Sequence, residues 1–539
     1  MKSISTVFLS VVFSVFSLCE NFLQNKFLSA RNIFQNKFET KNVFSVFLSV
    51  VFSVFTPCEI FFRNKFLSAR NIFLLIFIIT STQELQAQVL IDSIYKKDFK
   101  VFIHDIVIEG NKKTKEQIIF RQLTFKKGDS IPFSNLQTVL NESKQYIINT
   151  GLFYNVTLNI RNWEGSNMDI FISLEERLYT YPIPTVDIFD RNFNAWFVEH
   201  HHDGKRLQYG IRFLQMNMRG RNESLRINAM FGFSQKFELS YTVPFINQKQ
   251  KVGLQFKSSY TRSKFATYET LDNHEQFYFN TDSFVRRTFL SQVDFTLKPG
   301  YEDKHIFSIG FLHSEADDTV AHLNPDFYLN GKVLQEYFAL GYTFVHDRRD
   351  IVGFPLHGSY FDIGFSAFGI LPTDNTHLYS MQINHAKYFQ AGKNLYFAIR
   401  NKLKFSSPVK QPYYTQKGFG YKLDYVSSYE YYVVDGQSFW LGKLVSRYRI
   451  LKFALPNNFQ NNVVKASKFP FNVFLIGQLD AGYVKDDYYN KGNPLSNSLL
   501  VGGGPGIDVV MFYDVDFQLQ YSFNLRGENG LFLHFSSFF

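Results

Sequence analysis

From Leu178 onward one pattern keeps returning: large apolar residues at every second position, with polar residues between them. Phe237, Leu239, Tyr241 and Val243 alternate with Glu238, Ser240 and Thr242, and Phe517, Leu519, Tyr521 and Phe523 alternate with Gln518, Gln520 and Ser522. Phe338, Leu340, Tyr342 and Phe344 form another row, as do Phe361, Ile363 and Phe365, and Val252, Leu254 and Phe256. Because successive side chains of a strand point to opposite faces, one face of each strand wants hydrocarbon and the other wants water. The chain stops on the same pattern, with Leu531, Leu533, Phe535 and Phe539 in one row. A terminal strand this apolar is an aggregation hazard in water and is at home in a barrel facing lipid. A soluble β-sandwich accommodates one such row but not this many.

Composition agrees. The 539 residues include 64 Phe and 31 Tyr, yet mean hydropathy is only −0.14, the average that alternating lipid-facing and lumen-facing residues produce. After residue 80 no apolar run reaches the roughly 18 residues a spanning helix needs.

The first 87 residues read differently. Val7–Phe34 returns almost unchanged as Val46–Phe73, and two units are too few for a solenoid. The second copy runs into Arg70-Asn-Ile-Phe-Leu-Leu-Ile-Phe-Ile-Ile79 and then Leu85-Gln86-Ala87, the basic, apolar and small-residue order of an export signal cleaved before Gln88. The rest of the segment is either an upstream duplication translated from a start placed too early or an unusual extended leader. Both cysteines, Cys19 and Cys58, lie in the repeat, so the processed chain has no disulfide, no metal–thiolate site and no cysteine nucleophile. The same 87 residues hold eight of the 57 Lys/Arg and four of the 47 Asp/Glu, leaving a charge of +6 that gives no reason to expect nucleic acid as a partner. The expected organisation is a leader over 1–87, a linker over 88–100, a small module over 101–177 and a barrel over 178–539.

Within the module, 101–108 reads as a strand closing on Gly110-Asn111. Thr114-Lys-Glu-Gln117 and Ser134-Asn-Leu-Gln137 each offer a side-chain cap for a helix, and Phe153–Ile160 and Met168–Leu174 are two further strands, giving β-α-α-β-β. The stretch resembles a POTRA domain of the outer-membrane assembly-factor superfamily through Ile106-x-Ile108-x-Gly110-Asn111-x-x-Thr114, Gly128-Asp129, Gly151-Leu152-Phe153-x-x-Val156 and Ile172-x-Leu174-Glu175-Glu176. Such a fold leaves a strand edge beside a helix that can accept an extended client segment; the plainer reading is that the module braces the barrel mouth.

About sixteen antiparallel strands fit between Leu178 and Phe539, the first near 183–190 and the last near 530–539. On the periplasmic side Asn217–Arg221, Asn247–Gln250, Pro299–Asp303, Gln390–Asn394 and Phe512–Tyr513 are tight, whereas Ala266–Asp282, Ser314–Lys332 and Ser407–Gln437 are long and external. Pro456–Lys468 offends by being long on the short side. The expected fold is thus an all-β transmembrane barrel preceded by one α+β POTRA domain. The barrel resembles the BamA/TamA group of that superfamily, in particular its short single-POTRA members from Bacteroidetes, through Asp190-Arg-Asn-Phe-Asn194, Asn217-Met-Arg-Gly-Arg-Asn-Glu223, Asp347-Arg-Arg-Asp350 and Tyr429-Glu-Tyr-Tyr-Val-Val-Asp-Gly-Gln437.

One departure stands out. The resemblance implies a Val-Arg-Gly-Phe/Tyr motif in the loop between the eleventh and twelfth strands, folded into the lumen so that its Arg pairs with wall acids. Here Val426-Ser427-Ser428-Tyr429 stands in its place, without the guanidinium and without the glycine that permits a positive φ. The aligned wall residue, Asp480, loses its implied partner. Lys443, Arg447 and Arg449 share the inward parity of the twelfth strand; they either compensate or belong to an ordinary lumen charge network.

Elsewhere the chemistry is thin. His200-His201-His202 beside Asp203 has ligand-type residues in an exposed loop, Gly502-Gly503-Gly504-Pro505-Gly506 lacks the helix and the GK[ST] of a phosphate loop and reads as easing strand curvature, and no catalytic constellation emerges. The expectation is a non-enzyme without metal or cofactor. The resemblance implies an outer-membrane insertion or translocation factor whose partners are the lipid bilayer, unfolded outer-membrane or secreted clients and accessory periplasmic or lipoprotein subunits. Its seam joins the first strand, with Pro182, Pro184 and Ile188, to the last, with Leu531, Leu533 and Phe535, and Phe539 ends the assembly signal. The alternative from another class is a passive channel or structural barrel.

Overall fold

The computed structural model describes residues 99–188, 190–456, 468–511 and 515–537. Residues 1–98, 189, 457–467, 512–514 and 538–539, which include the expected leader and Phe539, lie outside the described residues.

The POTRA module is built on β1 (Lys100–Glu109), α1 (Glu116–Phe120), β2 (Ser130–Pro132), α2 (Phe133–Ile148), β3 (Phe153–Glu164) and β4 (Asn167–Glu176). Its sheet order is β2-β1-β4-β3, with β1 and β4 parallel and the other pairs antiparallel. The short β2 between the helices was not expected. Neither expected cap forms, since α1 starts after Lys115 and α2 after Pro132, both without a side-chain cap bond. Thr114 spends its hydroxyl elsewhere, on Tyr179 (3.0 Å) and Asn217 (2.8 Å), and Ser134 falls inside α2. Ile103, Ile147, Leu152, Phe153 and Ile170 fill the core. Gly110 has φ 94°, and a Cβ there would lie 1.9 Å from the Leu174 carbonyl oxygen, so the end of β1 requires glycine. Asn111 beside it donates to the Thr114 carbonyl (3.2 Å), and Gly151, φ 71°, turns the chain out of α2 toward Phe153.

The barrel sheet has sixteen antiparallel strands. They are β5 (Thr180–Ile188), β6 (Leu207–Met218), β7 (Glu223–Gly232), β8 (Ser234–Val243) and β9 (Val252–Ser263). A two-stranded ribbon, β10 (Phe265–Leu271) and β11 (His274–Phe279), stands apart from the wall. The wall resumes with β12 (Arg286–Leu297), β13 (Asp303–Ala316), β14 (Leu334–Asp347), β15 (Gly358–Phe368), β16 (Leu378–Gln390) and β17 (Leu395–Ser407). It ends with β18 (Ser438–Pro456), β19 (Lys468–Lys485), β20 (Leu499–Met511), β21 (Val515–Asn524) and β22 (Asn529–Ser537). Two short helices, α3 (Phe193–Val198) and α4 (Asp318–Leu323), sit in the connections after β5 and β13.

Alternation sorts the wall as its side chains demand. Phe307, Ile309, Phe338, Leu340 and Phe365 are exposed on the lipid face, while Asp480, Asp508, Gln520 and Ser522 are buried on the inner one. The POTRA domain is fastened to the tight turns of one rim. Arg121 donates to the Gln250 and Gly300 carbonyls (both 3.2 Å), Tyr146 stacks on Tyr301 at 4.7 Å, and Asn149 donates to the Asp350 carbonyl (3.3 Å). Burial beside Glu302 pushes the Tyr146 phenol up to about 12. On the far side of its own sheet β3, packed beside α2, has no strand partner among the described residues.

Candidate functional site: the lumen loop and the seam

The loop 408–437 between β17 and β18 folds into the lumen. Phe419, Val426, Ser427, Ser428, Tyr429 and Val433 are all buried. At the tip, Ser427 bonds the fully buried Asp480 twice, through its N–H (3.1 Å) and its hydroxyl (2.7 Å) to the same Oδ2. Lys443 Nζ reaches that oxygen at 3.1 Å, from the position paired with Asp480 across β18 and β19. The positive charge has moved from the loop to the wall, and the loop itself is held by neutral donors. Arg447 and Arg449 do not share this work. Arg447 pairs with Asp508 (3.2 Å), and Arg449 lies over the Tyr396 ring, because four and six residues further along β18 carry them toward other strands.

The positive-φ turn persists without its glycine. Ser428 adopts φ 68°, a conformation costing a non-glycine residue about 1–2 kcal/mol. Bonds from the end of β21 and the turn into β22 offset that strain: Asn524 Nδ2 donates to the Ser428 carbonyl (2.9 Å), and the Ser428 hydroxyl donates to the Glu528 carbonyl (3.3 Å). The seat is Gly502. A Cβ there would lie 1.9 Å from the Ser427 carbonyl oxygen, so this one glycine of the run makes room for the loop, a role that strand curvature alone did not suggest.

Above the tip the loop is roofed. The ribbon turn at Asp272-Asn273 is clasped by backbone bonds to Gly492 (2.8 Å) and from Val433 (2.8 Å). Asp435 accepts from Thr270 (2.7 Å) and Tyr421 (3.0 Å), and burial raises its carboxyl to about 6.

The seam is the second feature. Among the described residues β5 pairs only with β6 and β22 only with β21, so the sheet has two edges. Met216 N–H donates to the Tyr179 carbonyl, which sets the antiparallel alternation on β5: odd residues bond β6 and even residues face the seam. Pro182 and Pro184 are even, opposite Phe213 and Ile211, and withhold two donors from that edge. Ile188 lies opposite Leu207 at the strand end. On β22, Leu531 and Phe535 are exposed to lipid, and Phe535 packs on Phe517 with ring centroids 4.8 Å apart. The only described bridge to β22 from the first connection is Asn194 of α3, which bonds both backbone groups of Leu533. His200 lies 3.3 Å from Asp190, and His202 packs against Phe197.

Two family models match the chain: POTRA, described as surface antigen variable number repeat, over 101–177, and the Omp85 superfamily domain over 217–440. Together they span more than half of it. The chain belongs to the Omp85 superfamily. This Omp85 protein is similar in structure to BamA from Haemophilus ducreyi lacking POTRA domains 1-3, at 15% identity over 81% of this chain and 85% of that one, TM-score 0.45. It is also similar to CdiB from Escherichia coli, at 10% identity, 81% and 76% coverage and TM-score 0.47. CdiB from Acinetobacter baumannii matches at 11% identity, 81% and 73% coverage and TM-score 0.44. No curated protein matches its sequence. Membership makes it an outer-membrane barrel with a periplasmic POTRA domain, in a superfamily of assembly and translocation factors acting on client proteins.

Proposed function

We propose that this Omp85 protein inserts or translocates unfolded clients, with the seam between β5 and β22 templating strand pairing. The observation that carries the reading is the seam: two strand edges that share no ladder among the described residues, one carrying Pro182 and Pro184. An unpaired edge is costly in lipid, so exchanging one edge pairing for another is nearly neutral, and burying the client's apolar face supplies the drive without a nucleotide. The filled lumen, with Ser427 seated on Asp480, weighs against a passive channel, because the loop and its roof occupy the path a solute would take. The POTRA domain, braced on the turns around Gln250, Gly300 and Asp350, holds the free edge of β3 near the mouth as a first receiver of extended chain. Accessory subunits would dock on the same periplasmic module.

The test is reconstitution of the full chain in liposomes, with an unfolded outer-membrane barrel as client. The expected result is faster protease-protected client folding than in empty liposomes, together with low ion conductance across a planar bilayer. Steady conductance with no gain in client folding would leave the passive channel as the account.

A further inference from the structure

The contact between α3 and β22 has a specific form. Asn194 Nδ2 donates to the Leu533 carbonyl (3.2 Å) while the Leu533 N–H donates to Asn194 Oδ1 (2.9 Å). A carboxamide that gives and accepts in this way does to one residue what a neighbouring strand does in a ladder. The odd residues of β22 are the ones whose backbone faces away from β21, as the bond from Asn524 N–H to the Glu528 carbonyl at the start of that hairpin fixes. Leu533 therefore lies mid-way along the open edge. Asn194 is only 5% exposed and Ala195 beside it 0%, so this face of α3 is pressed into the seam, while Phe193, Phe197 and Val198 are exposed on the other.

The arm that carries Asn194 is itself tied to the lumen loop. Asn192 caps α3 by accepting from Ala195 N–H (2.8 Å) and donates to the Glu430 carbonyl (2.9 Å). Arg191, with a side chain 5% exposed, pairs with Glu199 (2.6 Å) and Glu275 (3.5 Å) and donates to the Tyr431 carbonyl. On the strand side Glu430 lies 3.2 Å from His534 Nε2. The edge contact and the plug are thus held by one set of bonds.

We propose that the Asn194 carboxamide is a displaceable cap on the β22 edge, occupying the site that the main chain of an incoming amphipathic strand takes over. This rests on the strand-templating reading above. A free edge invites indiscriminate pairing, and a side-chain amide blocks it at one residue without the cooperativity of a full ladder, so a strand that can bond several residues displaces it. Because Asn192 and Arg191 hold the same arm to the loop, displacement of the cap also loosens the plug.

The experiment uses the full chain in nanodiscs and a fluorescein-labelled peptide with the sequence of residues 515–524, an amphipathic strand that already matches β22 in register on its other edge. Removing the two competing bonds with Asn194→Ala should tighten peptide binding about tenfold, measured by anisotropy. Hydrogen exchange in 529–537 without peptide should rise in the same variant. Lys205→Ala, in the same connection and away from β22, serves as the unchanged control. Asn194→Asp keeps the acceptor for Leu533 N–H and loses the donor, so it should fall between wild type and Asn194→Ala; it also carries the test if the alanine variant does not assemble. Equal binding by wild type and both variants would overturn the cap while leaving strand addition intact. Binding by none of them would overturn the cap together with the templating reading. Unchanged exchange at 529–537 in Asn194→Ala would show that the carboxamide protects nothing.

Discussion

Gly502→Ala tests whether the loop is seated on that glycine. The new Cβ would lie 1.9 Å from the Ser427 carbonyl oxygen, and ordinary contact begins at 3.4 Å, so the loop tip must retreat by about 1.5 Å. The two bonds from Ser427 to Asp480, at 2.7 and 3.1 Å, do not survive such a shift. Bonds to a charged acceptor contribute about 1.5–3 kcal/mol each, so the seated tip should lose about 3–6 kcal/mol relative to a lifted one. That corresponds to roughly a hundredfold or greater rise in the open population. Hydrogen exchange across 424–430 reads it directly. Gly310→Ala, whose Cβ meets nothing nearer than 3.7 Å in the wall, is the control and should leave the loop protected. Wild-type protection of 424–430 in a folded Gly502→Ala barrel would refute the seating argument.

Lys443→Met leaves the buried Asp480 with Ser427 and Gln478 as neutral donors and no cation, and should cost about 3 kcal/mol in urea unfolding; a cycle with Asp480→Leu should show coupling between the two, and additive losses would contradict the pairing. Arg121→Ala removes two bonds to barrel turns and a guanidinium over the Tyr301 ring, so spin-label distances between the POTRA domain and the barrel should broaden while both parts stay folded; an unchanged distribution would mean the docking rests elsewhere. Asp435, held near 6 by burial against about 3.9 when exposed, binds its proton more tightly in the folded loop. Its contribution is therefore greatest below about pH 4, falls by up to about 3 kcal/mol as pH rises through 6, and is level above. The difference in melting between wild type and Asp435→Asn should follow that window, and a pH-independent difference would contradict it.

The wall was legible because each strand carries its own lipid-facing row. Phe237 and Leu239, Phe338 and Leu340, and Phe517 declare their faces without reference to any partner, and the first and last strands fall within a few residues of 183–190 and 530–539. What escaped depends on residues distant in sequence. The Thr114 hydroxyl does not cap α1 because Tyr179 and Asn217, brought in by the barrel, bond it instead. The missing glycine at Ser428 suggested a lost turn, yet Asn524 and Glu528 hold that turn from the hairpin between β21 and β22. The ribbon of β10 and β11 falls in the stretch expected to be a long external connection, and its pairing and place depend on Asn273 against Val433 and Asn493. Asn194 sits in a run that showed only a family likeness, and nothing in the sequence marks it as the residue that meets the edge of β22.

The account turns on whether the seam must open, and a covalent lock measures that directly. With Cys19 and Cys58 replaced, cysteines placed at Ile188 and Phe535, and scanned through neighbouring positions to find the register, should cross-link under oxidation, since templating between two edges that share no ladder requires them to close on each other. In reconstituted vesicles the locked, folded protein should fail to insert its client and recover on reduction. Client insertion at the unlocked rate with the cross-link complete would contradict lateral templating.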